Sequence, residues 1–459
     1  MTAVLLLALA ASWWWVRDEA PPRPPNVVLI TVESLRPDHV SFQDGERPTT
    51  PNLDALAAEG VVYDNAWAVT SWTLASHASI FTGLYPPAHQ TITPAGRLGD
   101  GYTTLAEQLA ARGYQCAGVV GGPYLRARHG LHQGFEVYDE SPAEASARAA
   151  HGDISNPILE QRLKRFLTTG RDPARPLFLF AYVWDPHYDY IPPEPYDDMF
   201  VQPWHRPVEV EDYEISDAVH ADLSPEQLAF VKARYEGEIR ATDALLGRLF
   251  DTLKQQGLWD DTLVIVTADH GEAFFEHGEK GHKNDLYRES VHVPLVVKYP
   301  GGGPRGVESV PVSHVDITPT ILDVTGTPDT TPLQGRSLAG GPPPVDRPVF
   351  QGLLEMWYLV RDDQAADTEQ RRWFAMRQNG YTLLELPAEG RVELYDLDSD
   401  PAEQHDLAAQ QPERVAAMRA RLESWWESNR ELAEQFGAGG RAELSPQALE
   451  RLRALGYIR

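Results

Sequence analysis

Residues 263–272 read Leu-Val-Ile-Val-Thr-Ala-Asp-His-Gly-Glu. A β-branched apolar run breaks there into Asp269-His270-Gly271-Glu272. Open α/β sheets place their chemistry at the carboxyl ends of buried parallel strands. A carboxylate beside an imidazole is a metal-binding pair, and the glycine next to it lets the backbone turn tightly. The bland alternative is an aspartate capping the next helix beside a satisfied core histidine. A second apolar run, Val27 to Val32, delivers another carboxylate, Glu33, at its end. A third element, residues 70–83, is a hydroxyl-rich turn that runs into a helix: Thr-Ser-Trp-Thr-Leu-Ala-Ser-His-Ala-Ser-Ile-Phe-Thr-Gly. Taken alone, Thr73 in that turn reads as a helix N-cap, because hydroxyl side chains are common there.

The elements that must position these residues alternate. Val27–Val32, Gln115–Val120, Leu177–Val183, Leu263–Thr267 and Leu295–Tyr299 read as strands. Leu53–Glu59, Thr104–Arg112 and Tyr235–Gln256 have helical apolar spacing. Alternation of this kind predicts an α/β fold, with a large mixed, mostly parallel sheet sandwiched by helices. Asp316 is expected to begin a further helix. Gly340 to Pro344 reads as a linker. Beyond it, Trp373–Arg377, Tyr381–Leu386 and Glu393–Leu397 alternate as strands of a small antiparallel sheet, followed by an amphipathic helix over 412–433. The tail, 444–458, holds a short capped helix. The expected organisation is an N-terminal segment (1–25), a catalytic domain (26–345) and a smaller C-terminal subdomain (346–459).

At 459 residues the chain can bury a large core. Its net charge of −27 argues against nonspecific nucleic-acid binding and against docking on anionic lipid. The single cysteine, Cys116, excludes an internal disulfide and reads as a core residue of its strand. The stretch Ala3 to Val16 is apolar and is followed by three charged residues, Arg17-Asp18-Glu19, and a Pro-rich linker, Pro21 to Pro25. Its 14 residues are short for a spanning helix and fit the apolar region of a signal peptide. Export to the periplasm or cell surface is expected, with membrane anchoring by this segment as the other reading.

Together, these motifs in this order resemble the sulfatase and alkaline phosphatase superfamily over nearly the whole chain. Thr73-Leu74-Ala75-Ser76-His77 aligns with the sulfatase signature, followed in place by Thr82-Gly83. The resemblance puts Thr73 at the nucleophile position. It implies that Glu33, Thr73, Asp269 and His270 converge on one divalent metal ion, and that a helix start there favours an anion. Two carboxylates and an imidazole suit Zn²⁺ or Mn²⁺ better than Ca²⁺, which prefers oxygen throughout. The resemblance further implies that His187, in Trp184-Asp185-Pro186-His187, faces the substrate anion or leaving group. His282-Lys283, with Tyr287 four residues beyond the lysine, matches a sulfatase region in which the lysine binds nonbridging oxygens. Either His282 or Lys283 could then protonate the leaving oxygen. Arg36 is expected as a partner of Glu33 or, equally, in a surface or helix-cap role, and His277 near the site. His39, His77, His89, His129 and His314 read mainly as structural, with His77 the exception to watch. The segment Tyr395-Asp-Leu-Asp-Ser-Asp-Pro-Ala-Glu resembles a recurring C-terminal segment of sulfatases.

Three departures from sulfatases matter. Formylglycine is made from Cys or Ser, so Thr73 should remain an alcohol. A hydrated aldehyde can eject sulfate by reverting to the carbonyl, and a plain alcohol cannot. The paired aspartates after the first strand are replaced by Glu33-Ser34. A Glu, Thr, Asp, His set resembles that of lipoteichoic acid synthases and phosphoethanolamine transferases, which use a threonine. Last, the Gly-Lys expected after the next strand is replaced by Gly121-Gly122-Pro123.

The first functional reading is a metal-dependent hydrolase of phosphodiesters or phosphonate monoesters, acting on an anionic glycan, lipid or small molecule. The second is a sulfuric ester hydrolase that works with threonine. The third is a phospho-alcohol transferase acting on envelope glycan or lipid. The fourth is a noncatalytic binding protein on the same scaffold. Specificity is expected to reside in loops 140–160 and 190–222.

Overall fold

A computed structural model of the chain describes residues 23–146, 155–210, 218–354, 372–437 and 440–443. The expected N-terminal apolar stretch and C-terminal tail helix lie outside the described residues, as do parts of both specificity loops.

The large sheet has eight strands: β1 (Asn26–Val32), β2 (Val61–Tyr63), β3 (Gln115–Val120), β4 (Val137–Asp139), β5 (Leu177–Val183), β6 (Thr262–Ala268), β7 (Leu295–Lys298) and β8 (Gly306–Glu308). Their spatial order is β8-β2-β7-β6-β1-β5-β3-β4. The five strands from β6 to β4 run parallel, while β7 is antiparallel to both its neighbours. Every residue of β1, β5 and β6 is buried. That explains their unbroken apolar runs, since helices cover both faces of a parallel sheet.

The long helix extends further than its apolar spacing predicts, over Pro225–Gln255. Its start is set by a capping box between Ser224 and Gln227, with a proline in the first turn. The polar residues that precede Tyr235 hide that start from a purely hydrophobic reading. Asp316 does begin a helix region, and its carboxylate is held by both guanidinium nitrogens of Arg347 at 2.7 Å. Cys116 is buried in β3, and burial pushes its thiol pKa up to about 12.

The small sheet is four-stranded and antiparallel: β9 (Val349–Leu354), β10 (Arg372–Gln378), β11 (Tyr381–Leu386) and β12 (Arg391–Asp396). Only the last three strands were expected. One face packs on the helix Pro412–Phe436 through Phe374, Met376, Leu383, Met418, Leu422 and Trp425. Residues Leu353, Trp373, Ala375, Leu384 and Tyr395 belong to the main hydrophobic core. The small sheet therefore shares a core with the large one.

A histidine joins the two sheets electrostatically. His277 Nδ1 lies 2.7 Å from Glu289 Oε1, and its Nε2 lies 2.8 Å from the Glu403 carbonyl. Burial opposes its charge, but Glu289 and then Glu403 outweigh that and raise its pKa to about 9. A folded pKa above the free value of about 6.5 stabilises the fold fully below that value. The contribution, at most about 3 kcal/mol, fades as pH rises through 9. The urea-unfolding midpoint is expected to fall between pH 6.5 and 9.5, and His277→Gln should flatten that part of the profile. An equally steep fall in the variant would exclude this origin.

Candidate active site

Strand register brings three chain segments to one level. Val32 pairs with Val183 on one side and with Ala268 on the other. Glu33, Trp184 and Asp269 therefore leave the sheet side by side. Gly271 follows because the Glu289 carbonyl passes so close that a Cβ there would sit 1.9 Å from its oxygen.

Thr73 opens a ten-residue helix, Thr73–Thr82, whose every residue is buried. It is the first helical residue rather than the cap. The cap position is Trp72, which makes no side-chain cap bond, so the early amide N–H groups are free of one. The Thr73 hydroxyl turns instead to the strand ends. Its Oγ1 lies 3.1 Å from His270 Nε2, and 3.5 and 3.4 Å from the two Glu33 oxygens.

The helix is held by its own polar residues. Ser76 Oγ donates to the Asp269 carbonyl at 2.7 Å. His77 Nδ1 donates to the Thr73 carbonyl at 2.8 Å, and its Nε2 accepts from Thr31 Oγ1 at 2.8 Å. Burial pushes the His77 pKa down to about 3, so the ring stays neutral. His77 thus ties the first turn of this helix to β1. His39, His89, His129 and His314 are likewise hydrogen-bonded within the fold.

Around Thr73 the structure gathers Glu33, Asp269, His270 and His282, all fully buried. His270 Nδ1 donates to the Gly271 carbonyl at 2.9 Å, which leaves Nε2 to face Glu33 Oε1 at 3.1 Å and Asp269 Oδ2 at 3.5 Å. His282 Nδ1 lies 3.2 Å from Glu272 Oε1. One donor atom from each of Glu33, His270 and His282 falls within 4.8 Å of the others. His282 therefore joins the group that could hold a metal, whereas the resemblance had made it a candidate proton donor to the leaving oxygen.

Two observations test whether a divalent ion fits. Asp269 Oδ2 and His282 Nε2 are buried and have no hydrogen-bond partner among the described residues. Burial also raises the Glu33 carboxyl pKa to about 7, and burial together with Glu33 pushes Asp269 up. Two buried carboxylates, two imidazoles kept neutral by burial and two orphaned ligand atoms make a set that fits a divalent cation. Mixed N and O donors suit Zn²⁺ or Mn²⁺ rather than Ca²⁺. Glu272 orients His282 from behind, the usual arrangement for a ligating imidazole.

Lys283 supplies the positive charge. It is 1% exposed, its backbone is left-handed at φ +73°, and its N–H donates to the Ser71 carbonyl at 3.0 Å. Its Nζ donates to the Tyr188 hydroxyl at 2.9 Å and holds the Glu33 pKa down. His187 stacks on Trp184 at 3.9 Å between centroids and lies 5.4 Å from the His282 ring. Trp184 also explains Gly122. A Cβ there would meet the indole at 2.4 Å, so the indole excludes the lysine that sulfatases carry at this turn.

Of the readings of Arg36, the partner of Glu33 fails; Arg36 takes the cap position before the short helix Pro37–His39, pairs with Asp38 at 2.6 Å and Glu276 at 2.8 Å, and donates to the Glu272 carbonyl. His277 faces the small sheet, not the site. One contributor was missed. Tyr182, in β5, donates a short hydrogen bond to Glu33 Oε2. A tyrosine inside an apolar run reads as core, and only its place three residues from Asp185 hinted otherwise.

A large mixed sheet with a small antiparallel sheet, and a metal-capable cluster at its strand ends, defines the alkaline phosphatase and sulfatase class of ester hydrolases. The sulfatase family model matches residues 25–327, and this chain belongs to that family. A second model, for the C-terminal part of N-sulphoglucosamine sulphohydrolase, matches residues 276–430. Arylsulfatase K of Bos taurus is 24% identical, covering 88% of this chain and 82% of that protein. The multifunctional alkaline phosphatase superfamily protein PehA of Trinickia caryophylli is 27% identical, covering 68% of this chain and 76% of its own. The phosphonate monoester hydrolase of Agrobacterium radiobacter superposes with a TM-score of 0.71 at 25% identity, covering 88% and 96% of the two chains.

Proposed function

We propose that this member of the sulfatase family hydrolyses phosphodiesters or phosphonate monoesters, with Thr73 as its nucleophile. The observation that carries the reading is an unmodified alcohol, Thr73 Oγ1, set 3.1 Å from His270 Nε2 at the start of a buried helix. Glu33, Asp269, His270 and His282 would hold the divalent ion. Bound there, it would lower the pKa of the threonine hydroxyl and polarise the ester.

The chain's own residues do the rest. Thr73 gives its proton to water as its oxygen attacks phosphorus. The bond to the leaving oxygen breaks as the new P–O bond forms. Lys283 neutralises the nonbridging oxygens, and its ammonium is placed to give the leaving oxygen a proton. Water then attacks the phosphoryl-threonine, releases the product acid and restores the hydroxyl. His187 packs between Trp184 and Tyr188, with ring centroids at 3.9 and 4.1 Å, so the leaving group would meet an aromatic cluster. One lysine beside one ion suits a singly charged ester better than a phosphate monoester dianion.

Sulfate-ester hydrolysis is the second reading, favoured by the sulfatase relatives of this chain. It requires direct displacement at sulfur by an alcohol. We extend the proposal to an exported protein, on the strength of the Ala3–Val16 segment. Among the described residues no helix is long and apolar enough to cross a membrane.

Initial rates on matched p-nitrophenyl esters distinguish the two readings: a phosphodiester, a phosphonate monoester, a phosphate monoester and a sulfate, each with Mn²⁺ or Zn²⁺. The diester or phosphonate is expected to lead the sulfate by at least about 100-fold in kcat/KM. A lead for the sulfate would overturn the phosphoryl assignment and leave Thr73 as a sulfate acceptor.

A further inference from the structure

The segment Tyr395 to Glu403 has no part in the chemistry above, yet its last residue reaches toward the site. Glu403 is fully buried and left-handed, at φ +55°. Its Oε2 accepts the backbone N–H of Arg288 at 2.7 Å. Its Oε1 accepts from Arg377 at 3.3 Å, and the same Arg377 nitrogen donates to the Leu286 carbonyl at 2.9 Å. The Glu403 carbonyl lies 2.8 Å from His277 Nε2. One residue of the C-terminal part thus grips both ends of the segment 277–288.

His282 and Lys283 stand in the middle of that segment. Lys283 holds a backbone conformation that side-chain-bearing residues adopt at a cost, which the surroundings must enforce. The enforcing contacts inside the site are Lys283 N–H to the Ser71 carbonyl and Ser71 Oγ to the Asp285 carbonyl. Those at the ends come from the C-terminal part: Glu403 beyond β12, Arg377 in β10, and Glu393 in β12, which accepts from the Tyr287 hydroxyl at 2.8 Å. Arg377 is itself fixed, lying 4.1 Å over the Trp67 ring and donating to Gln351 at 2.8 Å.

We propose that Glu403 is a positioning residue for this reaction, holding the 277–288 segment so that Lys283 meets the substrate oxygens. The proposal rests on the reading of Lys283 given above. It makes the C-terminal sheet a working part of the site. A shift of about 1 Å in such a group costs roughly 100-fold in rate, so removal of the grip should be visible in turnover.

The test compares Glu403→Ala, Glu403→Gln, Lys283→Ala, the Glu403→Ala/Lys283→Ala double variant and Leu383→Ala. Leu383 is buried between the small sheet and its helix, so its truncation loosens that sheet without touching the 277–288 segment. Full-length proteins are assayed well below their melting temperatures for kcat, KM and inhibition by orthovanadate. Glu403→Ala is expected to lower kcat about 30-fold and to weaken vanadate about tenfold. Glu403→Gln should recover part of both, because its amide oxygen still accepts from Arg288 N–H. In the Lys283→Ala background, Glu403→Ala should add less than about threefold, since the two act through one group. Leu383→Ala should lower the melting temperature and leave kcat and vanadate binding near wild type.

Fully multiplicative losses in the double variant, or a Glu403→Ala enzyme as active as Leu383→Ala, would overturn the proposal. Should Glu403→Ala fail to fold, the Gln variant decides alone, with wild-type kcat and vanadate binding counting against it. An unchanged Lys283→Ala enzyme would instead overturn the reading of Lys283 itself. A crippled Lys283→Ala beside an unaffected Glu403→Ala would sink only the positioning role.

Discussion

Thr73→Ala is expected to lower turnover by roughly 10⁴-fold or more while metal content stays at the wild-type level. On the proposed reading the nucleophile is one oxygen, Thr73 Oγ1, which alanine removes. Glu33, Asp269, His270 and His282 remain to hold the ion, because their orientation comes from other contacts: Tyr182 for Glu33, the Ser34 and His270 N–H groups for Asp269, Gly271 for His270 and Glu272 for His282. The fold should tolerate the change, since the helix is anchored by Ser76 and His77. Steady-state kinetics and metal analysis on the same preparation check both halves. A rate within about tenfold of wild type would refute the nucleophile assignment. Acid-quenched wild-type enzyme, mixed with its best ester, should carry a phosphoryl group on the Thr73 peptide.

His282→Ala carries the second large effect, and it decides between two roles for this residue. As a ligand, its loss should weaken metal binding by at least about 100-fold and abolish activity at limiting metal. Glu272→Gln, which removes the carboxylate behind the ring, should weaken metal binding by about 10- to 100-fold. Lys283→Ala should leave metal affinity unchanged and lower kcat by roughly 100- to 1000-fold. Isothermal titration of the metal-free proteins with Zn²⁺ or Mn²⁺ separates these cases. If His282→Ala keeps full metal affinity and loses rate only on esters with poor leaving groups, it is a proton donor, and the ligand group shrinks to Glu33, Asp269 and His270.

Much of the site was legible because its residues terminate strands. Unbroken apolar runs ending at Val32 and Ala268 mark buried parallel strands, and a charge at the end of such a run has few structural excuses. Thr73 was legible from its motif, though its place as first helical residue rather than cap was not. The short strands β2, β4 and β8 escaped notice, being three residues each. So did β9, whose Gly352 and Gln351 interrupt an apolar pattern.

What the chain's local pattern determined by itself is therefore the central sheet and the order of the motifs, which follow from hydrophobic periodicity and from charges at the ends of apolar runs. The convergence of Glu33, Thr73, Asp269 and His270 was implied by the resemblance of those motifs to the sulfatase signature. Tertiary structure alone decided the rest. Tyr182 meets Glu33, and Arg36 turns away from it to Asp38 and Glu276. His282 returns beside His270, and Glu403 holds the segment that carries Lys283. These contacts join residues on different elements, far apart in sequence or carried there by a folded loop. Side-chain direction and loop path are set by packing across the whole core, which no local spacing encodes.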